Sequence, residues 1–429
     1  MKTYLRVLEA VESSGVKAWL VGASARDVVM DIQPTTLTIA VENCDLEALR
    51  ASIGDGVILG VLPFHILHAT ILGTKVEISC IQGDTIEDDL ARRDFTVNAI
   101  AIRSNDNCVD PYGGRHDIRN KLIRLTGDDE NLIKDDPIRV IRLIRFSSEL
   151  DMRIFWKSEA DARIFTAKYE EEVRKMPPER WGREILHGMI RHPYNFISIC
   201  NHYNLLPFFL DDLEQLKKIN IKEGGTLFGH TLDTLSIVQN FLNGRKRRDN
   251  DIIFSLAALF HHVGSVVNEP TDTGKMVAIA ERYLTAWNLP SETVTMVCAI
   301  IKHYRLPYNL STEESLAKSV VNHGAETVEA IVDFAICNSQ ADNMKNIEAV
   351  AANKWMLGEV LRRFEEAKRR TDGNIRYLSG DEIMNILSIR PSKVVGDILG
   401  ELDIAVGVGK VSNKKEAADW VVKRGAGVA

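Results

Sequence analysis

The decapeptide Arg92-Arg-Asp-Phe-Thr-Val-Asn-Ala-Ile-Ala101 decides how the first part of this 429-residue sequence is interpreted. Its charged beginning is followed by β-branched and small apolar residues, a pattern that predicts a strand over residues 98–103. Short β-branched runs predict further strands at 18–21, 37–41, 75–81 and 122–125, and residues 45–53 have a helical pattern. The first part of the chain is therefore predicted to be an α/β head.

The pattern of apolar residues changes after Gly127. From there nearly every apolar run has a helical period, as Ile138, Ile141 and Ile144 illustrate. Breaks that contain glycine or proline divide this helical part of the chain. We predict a head at 1–126, a helical neck at 127–192, a helical body at 193–372 and a small helical tail at 373–429.

The composition is typical of a soluble globular protein, with 45% hydrophobic residues, 26% charged residues and a formal charge of −7. The apolar runs are far shorter than a membrane span, and the N-terminus lacks the pattern of a secretory signal. Six scattered cysteines without a C-x-x-C pair indicate free thiols in a reducing compartment. These features predict a cytoplasmic protein with no membrane association, and the acidic net charge does not exclude a local basic groove.

Residues 19–31 read as the end of a strand, a turn at Gly22 and the start of a helix. Such a turn leaves backbone N–H groups unpaired at the helix N-terminus, where they suit a phosphate group. Arg26 could add a bidentate contact to that phosphate. Turns of this kind are common, so the segment is informative only together with other motifs.

Five blocks, in order along residues 20–185, closely resemble the class II tRNA nucleotidyltransferase and bacterial poly(A) polymerase family. Residues 92–99 are similar to its R-R-D-F-T-x-N-A signature, and residues 22–27 to its G-G-x-x-R-D turn. Residues 110–124 resemble its D-P-x-G-G strand entry, 135–139 its E-D-x-x-R helix and 179–184 its E-R-x-x-x-E helix. The resemblance implies a polymerase-β-like α/β head followed by an all-α neck, body and tail. It also implies addition of nucleotides to an RNA 3′ end without a template.

The resemblance implies a reaction with two metal ions, held by a D-x-D pair on one strand and a third carboxylate on a neighbouring strand. Residues i and i+2 of a strand face the same side, so such a pair can hold metals about 3.5–4 Å apart. Here Thr36 and Thr38 occupy the two aspartate positions, and only Glu77 remains as the third acid. A neutral hydroxyl is a weak ligand for Mg²⁺, which prefers carboxylates and substrate phosphates.

No other acid is a convincing replacement for the pair. Glu42 shares a strand face with Thr38 but lies roughly 13 Å from it at the rise of a strand, and Asp31 precedes the intervening turn. Ala23 replaces the second turn glycine of the family, and Gln82 replaces the arginine expected after the third acid. Two interpretations remain open: the threonines are strand formers in a silent head, or the active site is unusual, being metal-free or heteromeric.

The nucleotide-reading part of the family pattern is kept. The resemblance assigns contacts with the base of ATP or CTP to Asp136 and Arg139. Arginines recur every third residue here, and we expect them to border a cleft, although a solvated face is the alternative. The resemblance assigns nucleotide binding to Gly22, Arg26, Asp27, Arg93, Asp94, Asn98, Asp136, Arg139 and Arg142.

Basic residues in the neck predict contacts with RNA phosphates, for which Arg145, Arg180 and Arg183 are the candidates. Residues 244–248 form a further cationic segment, for which a plain solvated turn is an equal alternative.

The helical body resembles the HD phosphohydrolase domain that some members of the family carry. His230, His261 and Asp342 match metal ligands of that domain, but His262 replaces the aspartate of its His-Asp pair. His303 could extend a histidine-rich site that suits a borderline metal. The alternative is a relic without metal, in which hydrogen bonds hold the histidines.

These observations lead to three functional hypotheses. The first is a catalytically silent nucleotidyltransferase-like protein that binds RNA, tRNA in particular, and a nucleotide such as ATP or CTP. The second is an active enzyme that adds CMP or AMP to tRNA 3′ ends with Mg²⁺ and unusual metal ligands. The third is a metal-dependent phosphohydrolase built on the histidines. An active paralogue is a further candidate partner, and the sequence leaves the oligomeric state open.

Overall fold

The computed structural model describes residues 2–425 except 43, 55, 61–64, 105–106, 128–131, 135, 156–167, 169, 222–223, 245–250, 266–271, 345 and 372. The chain divides into two compact units. The first comprises Met1–Gly188 with Ser198–Phe209, and the second comprises Met189–Ile197 with Leu210–Ala429. The four-part division into head, neck, body and tail stays a prediction. Residues 245–248 of the cationic segment lie outside the described residues.

A seven-stranded mixed sheet forms the centre of the first unit. Its strands are β1 (Lys17–Val21), β2 (Thr36–Glu42), β3 (Val57–Leu59), β4 (Ile66–Ile71), β5 (Thr74–Cys80), β6 (Ala101–Ser104) and β7 (Asn107–Val109). The order across the sheet is β3-β4-β5-β2-β1-β6-β7, with β2 and β5 parallel and the other described neighbours antiparallel. Two further strands, β8 (Leu122–Ile123) and β9 (Arg153–Ile154), pair in parallel with each other.

Burial alternates along the first residues of β2. In β2, Leu37 and Ile39 are buried, whereas Thr36 and Thr38 are only partly buried. Residues i and i+2 of a strand share a face, so the two threonines lie together on the more open side. The threonine face of β2 is therefore accessible at the start of the strand, whereas Ala40, further along the same face, is buried.

Five short helices and a 3-10 turn complete the head. They are α1 (Thr3–Glu12), α2 (Gly22–Val29), α3 (Leu46–Ile53), α4 (Ile86–Ala91), the 3-10 turn Thr96–Asn98 and α5 (Gly114–Arg119). Local chemistry sets several of the helix boundaries. Asp45 caps α3 by accepting hydrogen bonds from the N–H groups of Glu47 and Ala48, and Gly54 ends it with a φ of 88°. Thr85 and Asp88 form a capping box at the start of α4.

The rest of the described chain is helical apart from β9. The helices are α6 (Arg139–Leu150), α7 (Glu170–Arg174), α8 (Pro178–Arg191), α9 (Pro193–His202), α10 (Leu206–Phe209), α11 (Asp212–Leu216), α12 (Leu227–Asn243), α13 (Asp251–Phe260), α14 (Thr273–Ala286), α15 (Ser291–His303), α16 (Leu306–Asn309), α17 (Glu313–His323), α18 (Ala325–Ala341), α19 (Ile347–Arg370), α20 (Gly380–Leu387), α21 (Lys393–Gly407) and α22 (Lys414–Gly425). In the second unit, Leu316, Leu357 and Leu402 belong to an aliphatic core shared by α17, α19 and α21. None of the helices formed by the described residues has the length and apolar character needed to cross a membrane.

The structure confirms an α/β head followed by a helical remainder but corrects some predicted elements. The strand predicted at 98–103 begins only at Ala101, because the preceding residues form the 3-10 turn. The strand predicted at 122–125 ends at Ile123, and Leu125 forms only an isolated bridge with Phe95. The sequence analysis missed β3, β4 and β7, and the neck range contains one short strand, β9, among its helices.

Candidate functional site

The positions that correspond to the family's three acids lie on one face of the sheet, in two adjacent cross-strand pairs of β2 and β5. Together with their neighbour on β4, we call these residues the row. Strands β2 and β5 pair with Thr36 opposite Lys75 and Thr38 opposite Glu77. Strand β4 continues the row, with His68 opposite Glu77. The Glu77 carboxylate lies 3.8 Å from Nδ1 of His68, and both side chains are about two-fifths exposed. This row of five residues therefore offers a single carboxylate, and that carboxylate has an imidazole neighbour.

Ser24 of α2 holds the threonine strand through its backbone. Its buried hydroxyl donates a hydrogen bond to the carbonyl oxygen of Thr36 at 3.0 Å and accepts one from the N–H of Thr38 at 2.8 Å. Neither bond uses a threonine side chain. The strand therefore keeps an ordered backbone at the two positions whose side chains differ from the family pattern.

A cavity of about 490 Å³ has Thr38 in its wall. Six of the described lining residues are arginines and two are acids. The lining consists of Gly22, Ala23, Arg26, Thr38, Arg92, Arg93, Asp94, Asn98, Arg139, Arg142, Arg145, Phe146 and Glu149. The excess of guanidinium groups makes the cavity suited to an anion.

The turn at Gly22 brings backbone and a guanidinium group close together in the cavity wall. Gly22 has a φ of +61°, and a Cβ added there would lie 2.9 Å from Nη1 of Arg93. Arg93 is held in place by Asp89, whose Oδ2 accepts hydrogen bonds from Nη2 at 2.7 Å and from Nε at 3.2 Å. Glycine is required here both for the left-handed backbone and for the close approach.

A chain of hydrogen bonds joins three of the predicted nucleotide-binding residues. Arg26 donates from Nη1 to Oδ1 of Asn98 at 3.1 Å, and Asn98 donates from Nδ2 to Oδ1 of Asp94 at 3.1 Å. The guanidinium of Arg26 also lies 5.7 Å from the ring centroid of Phe146. Asp27 accepts two hydrogen bonds from Arg26 and is not among the lining residues.

Helix α6 contributes three arginines to the cavity, as the spacing predicted. Arg142 and Arg145 each donate from Nε to the buried carboxylate of Glu184 at 2.7 Å. Burial alone would lower the pKa of Arg142, but the hydrogen bond and the charge of Glu184 raise the pKa above its ordinary value. In contrast, Nε and Nη1 of Arg139 are buried and have no hydrogen-bond partner among the described residues. Arg139 is therefore an arginine of this helix with buried donors left for a ligand.

Asp136, Arg180 and Arg183 are also predicted site residues that lie outside the cavity lining. Asp136 accepts a hydrogen bond from Nη2 of Arg180 at 2.8 Å, which occupies one of its carboxylate oxygens. Arg183 is exposed. The RNA-binding role of Arg180 and Arg183 stays a prediction.

The sequence analysis did not single out Phe146 and Glu149 as site residues. Arg145 lies with its guanidinium 4.3 Å from the ring centroid of Phe146 and donates to both carboxylate oxygens of Glu149. Both residues share a helix face with Arg142, at i+4 and i+7. Helical spacing from the predicted arginines could have found them.

A second group of polar residues lies in the second unit. His230, His261 and His262 are buried, and one ring nitrogen of each lies within 4.8 Å of the others. Asp342 is next to them, with Oδ1 3.5 Å from Nδ1 of His230. His303 is not among the described residues of this group: its ring packs against His323 with centroids 4.7 Å apart, and its role as a metal ligand stays a prediction.

Comparisons with known proteins agree with this architecture. The Poly A polymerase head domain family matches residues 69–124. An A-adding tRNA nucleotidyltransferase of Deinococcus radiodurans is 27% identical over 356 residues, covering 78% of this chain and 79% of that protein. A CCA-adding enzyme of Staphylococcus aureus is 23% identical over 443 residues, covering 97% of this chain and 96% of that protein. The crystal structure of the Bacillus stearothermophilus CCA-adding enzyme in complex with CTP is similar in fold, with a TM-score of 0.71 at 20% identity, covering 100% of this chain and 99% of that chain.

The mixed sheet, the glycine turn and the arginine-lined cavity define a nucleotidyltransferase-type head. The head-domain match and the relatives that span most of the chain add the more specific assignment. These matches support the class II tRNA nucleotidyltransferase family, and the structure has a polymerase-β-like head and a helical remainder.

Proposed function

We propose that this protein is a tRNA nucleotidyltransferase-like RNA-binding protein that binds a nucleotide but does not catalyse its addition to RNA. The observation that carries the proposal is the row across β2, β5 and β4. Thr36 and Thr38 occupy two of the three acid positions, and Glu77 is the one carboxylate in the row.

The row is poorly suited to two metal ions. A two-metal centre needs several oxygen anions to hold its ions at close distance, and hydroxyl groups do not supply that charge. Lys75 lies opposite Thr36 on the same face, so an ammonium group further opposes a cation there. The residues present therefore do not fit a pair of Mg²⁺ ions.

The cavity, in contrast, supports nucleotide binding. Its volume of about 490 Å³ lies within the usual range of ligand pockets, about 300–1,000 Å³. The turn at Gly22 opens a helix, and arginines surround it, which is the chemistry of a phosphate site. Relatives support the class of ligand, because the related structure was solved with CTP.

The relatives also support RNA as the partner, since one of them is named as an A-adding tRNA nucleotidyltransferase. Arg180 and Arg183 of α8 supply positive charge that can contact a phosphate backbone. A protein that binds tRNA without modifying it would act as a binding or regulatory subunit, and an active paralogue is then the expected partner.

An incorporation assay tests catalytic silence. Purified protein is incubated with Mg²⁺, labelled CTP and ATP, and tRNA that lacks its 3′ CCA. We expect no incorporation above that of a Glu77→Gln control, because the row lacks the ligands for a two-metal centre. Incorporation well above the control would contradict the proposal and favour an active enzyme with unusual ligands.

A restored site provides the matching positive test. The double variant Thr36→Asp/Thr38→Asp should gain incorporation, because Ser24 contacts only the backbone of these residues and the strand should stay in place. The neighbouring variant Thr35→Asp adds a charge without restoring the pair and should remain inactive. A folded double variant that remains inactive would show that more of the site than the two aspartates is lost.

A further inference from the structure

Two cysteines of the head lie next to each other where neighbouring strands end. Cys80 is the last residue of β5, and Cys44 follows the end of β2 by two residues. The two strands are parallel, with Cys80 opposite Val41. The N–H of Ile81 donates to the carbonyl oxygen of Val41 at 3.0 Å, so the two chains stay paired up to the point where they leave the sheet.

The side chains of the two cysteines are in contact. The thiol of Cys80 donates a hydrogen bond to the carbonyl oxygen of Cys44 at 3.3 Å, and the two thiols are also within hydrogen-bonding reach of each other. A disulfide needs Cα atoms about 4.4–6.8 Å apart. Neighbouring strands lie about 4.7–4.9 Å apart, inside that range. Rotation of the two side chains is therefore the main movement that a bridge between them requires.

The other cysteines of the chain have different surroundings. Cys200 and Cys337 are buried. Cys108 and Cys298 are partly exposed, and their charged neighbours are Arg115 and Asp110 for the former and Glu281 for the latter. Cys44 and Cys80 are both partly exposed, so a small oxidant can reach a pair of thiols that already touch.

We propose that Cys44 and Cys80 are an oxidation site, which closes to an intrachain disulfide when the protein meets a peroxide. The structure shows the reduced form, in which the cysteines are free thiols. In a reducing compartment the bridge would be transient, because cellular thiols reopen it. The site is separate from the nucleotide cavity, whose described lining contains neither cysteine.

The reaction has two balanced steps. Burial and the neighbouring Cys80 thiol raise the pKa of Cys44, so Cys44 stays protonated at neutral pH. The Cys80 thiolate therefore attacks hydrogen peroxide: an S–O bond forms, the O–O bond breaks, and a sulfenic acid and hydroxide result. The sulfur of Cys44 then attacks that of Cys80, so that an S–S bond forms and the S–O bond breaks. The oxygen leaves with the thiol proton as water, and in total two thiols are oxidised while one peroxide is reduced to two waters.

The bridge should stabilise the head. Strands β2 and β5 are already paired in the reduced protein, so the bridge changes the folded state little. In the unfolded chain it removes many conformations of the long segment between the two cysteines. The oxidised protein should therefore unfold at a higher temperature than the reduced protein, and its affinity for nucleotides should be unchanged.

Peroxide treatment of the full-length protein tests the site. We expect a loss of about 2 Da, the mass of two hydrogen atoms. Free thiols counted after unfolding should fall from six to four, because two of them join. Peptide mapping without reductant should show Cys44 linked to Cys80, and dithiothreitol should restore all six thiols. The temperature of unfolding should rise by several degrees on oxidation and fall back on reduction.

Two variants distinguish oxidation of this pair from general oxidation. Cys80→Ser keeps a hydroxyl that can donate to the carbonyl oxygen of Cys44, and it should form no intrachain bridge. Cys108→Ser is the matched control, because Cys108 is a partly exposed cysteine of the same sheet, and it should form the bridge as the wild-type protein does.

The measurements on the wild-type protein decide the matter even if Cys80→Ser does not fold. A gain of about 16 Da per oxidised cysteine without a link, a bridge between two chains, or a link that does not join Cys44 to Cys80 would each overturn the proposal. A bridge that forms as readily in Cys80→Ser would do the same. None of these readouts depends on binding or addition of a nucleotide.

Discussion

Arg139 differs from the other arginines of α6 in the state of its donors. Arg142 and Arg145 are fixed by Glu184, whereas Nε and Nη1 of Arg139 are buried without an acceptor in the cavity wall. A buried donor without a partner costs free energy in the free protein, and a ligand that supplies an acceptor recovers it. A ligand that accepts a hydrogen bond from Arg139 should therefore bind more tightly, because it removes the cost of the buried unpaired donors.

Replacing Arg139 should lower the affinity for ATP without lowering the free energy of unfolding. In Arg139→Met, we expect ATP to bind roughly tenfold more weakly, since a hydrogen bond to a charged group contributes about 1.5–3 kcal/mol. The free energy of unfolding should not fall, because the buried unpaired guanidinium is removed at the same time. Equilibrium dialysis with ATP and chemical denaturation measure the two quantities.

Arg119→Met is the control for this substitution, because Arg119 is exposed and is not among the residues that line the cavity. It should change neither quantity. Unchanged ATP affinity in Arg139→Met would show that the unpaired donors do not contact the nucleotide.

Glu184 of α8 connects helices α8 and α6, because its single carboxylate accepts hydrogen bonds from two arginines of α6. Its two oxygens accept from Arg142 and Arg145, and its side chain is 5% exposed. A buried carboxylate with two guanidinium partners fixes the rotation of one helix relative to the other. The arginine face of α6 is therefore directed into the cavity partly by a residue that does not line it.

The variant Glu184→Gln tests this link. It leaves two guanidinium groups without their anion, and we expect the free energy of unfolding of the first unit to fall by about 2–3 kcal/mol. Arg142 remains one-third exposed, which keeps the loss below that of a fully buried pair. Glu149→Gln is the matched comparison, since Glu149 contacts only Arg145 of these arginines, and its loss should be smaller. Equal losses in denaturation curves would contradict the linking role.

The same elements indicate what the sequence could and could not predict. The turn at Gly22 and the common face of the α6 arginines follow from local patterns, and both were predicted. The 3-10 turn Thr96–Asn98 was not, because it depends on distant partners. Thr96 donates to Asp117, 21 residues away, and Asn98 accepts from Arg26, 72 residues away. A strand propensity contains no information about such contacts.

The same limit applies to the candidate site, where local patterns were predictable and contacts between distant segments were not. Thr36, Thr38 and Glu77 were predicted to share a site from family spacing, and the register of β2 with β5 is consistent with that. The His68 neighbour of Glu77 was not predicted, because β4 itself was missed. Glu184 is 42 residues from Arg142 and 39 residues from Arg145 in the sequence. Helical periodicity carries no information over such distances, so its contacts with them could not be predicted.

The net charge of −7 of the whole chain conceals a local excess of positive charge in the cavity lining. The cavity has six arginines and two acids in its described lining, and the adjoining row has Glu77 as its one carboxylate. In an active two-metal centre, cations screen the triphosphate. Here guanidinium groups are the available counter-charge, so a nucleotide without bound metal should fit better than its Mg²⁺ complex.

The order of nucleotide affinities with and without Mg²⁺ follows from this distribution. In EDTA, ATP or CTP should bind the wild-type protein at least as tightly as in excess Mg²⁺, because the metal cancels phosphate charge that the arginines would otherwise contact. The Thr36→Asp/Thr38→Asp variant should show the opposite order, since its new carboxylates repel the bare triphosphate and bind the metal. Adenosine, which has no phosphates, should be insensitive to Mg²⁺ in both proteins. Equilibrium dialysis measures the affinities of both proteins for ATP and for adenosine in EDTA and in Mg²⁺. A wild-type protein whose ATP binding requires Mg²⁺ would show that metal ligands remain in the row.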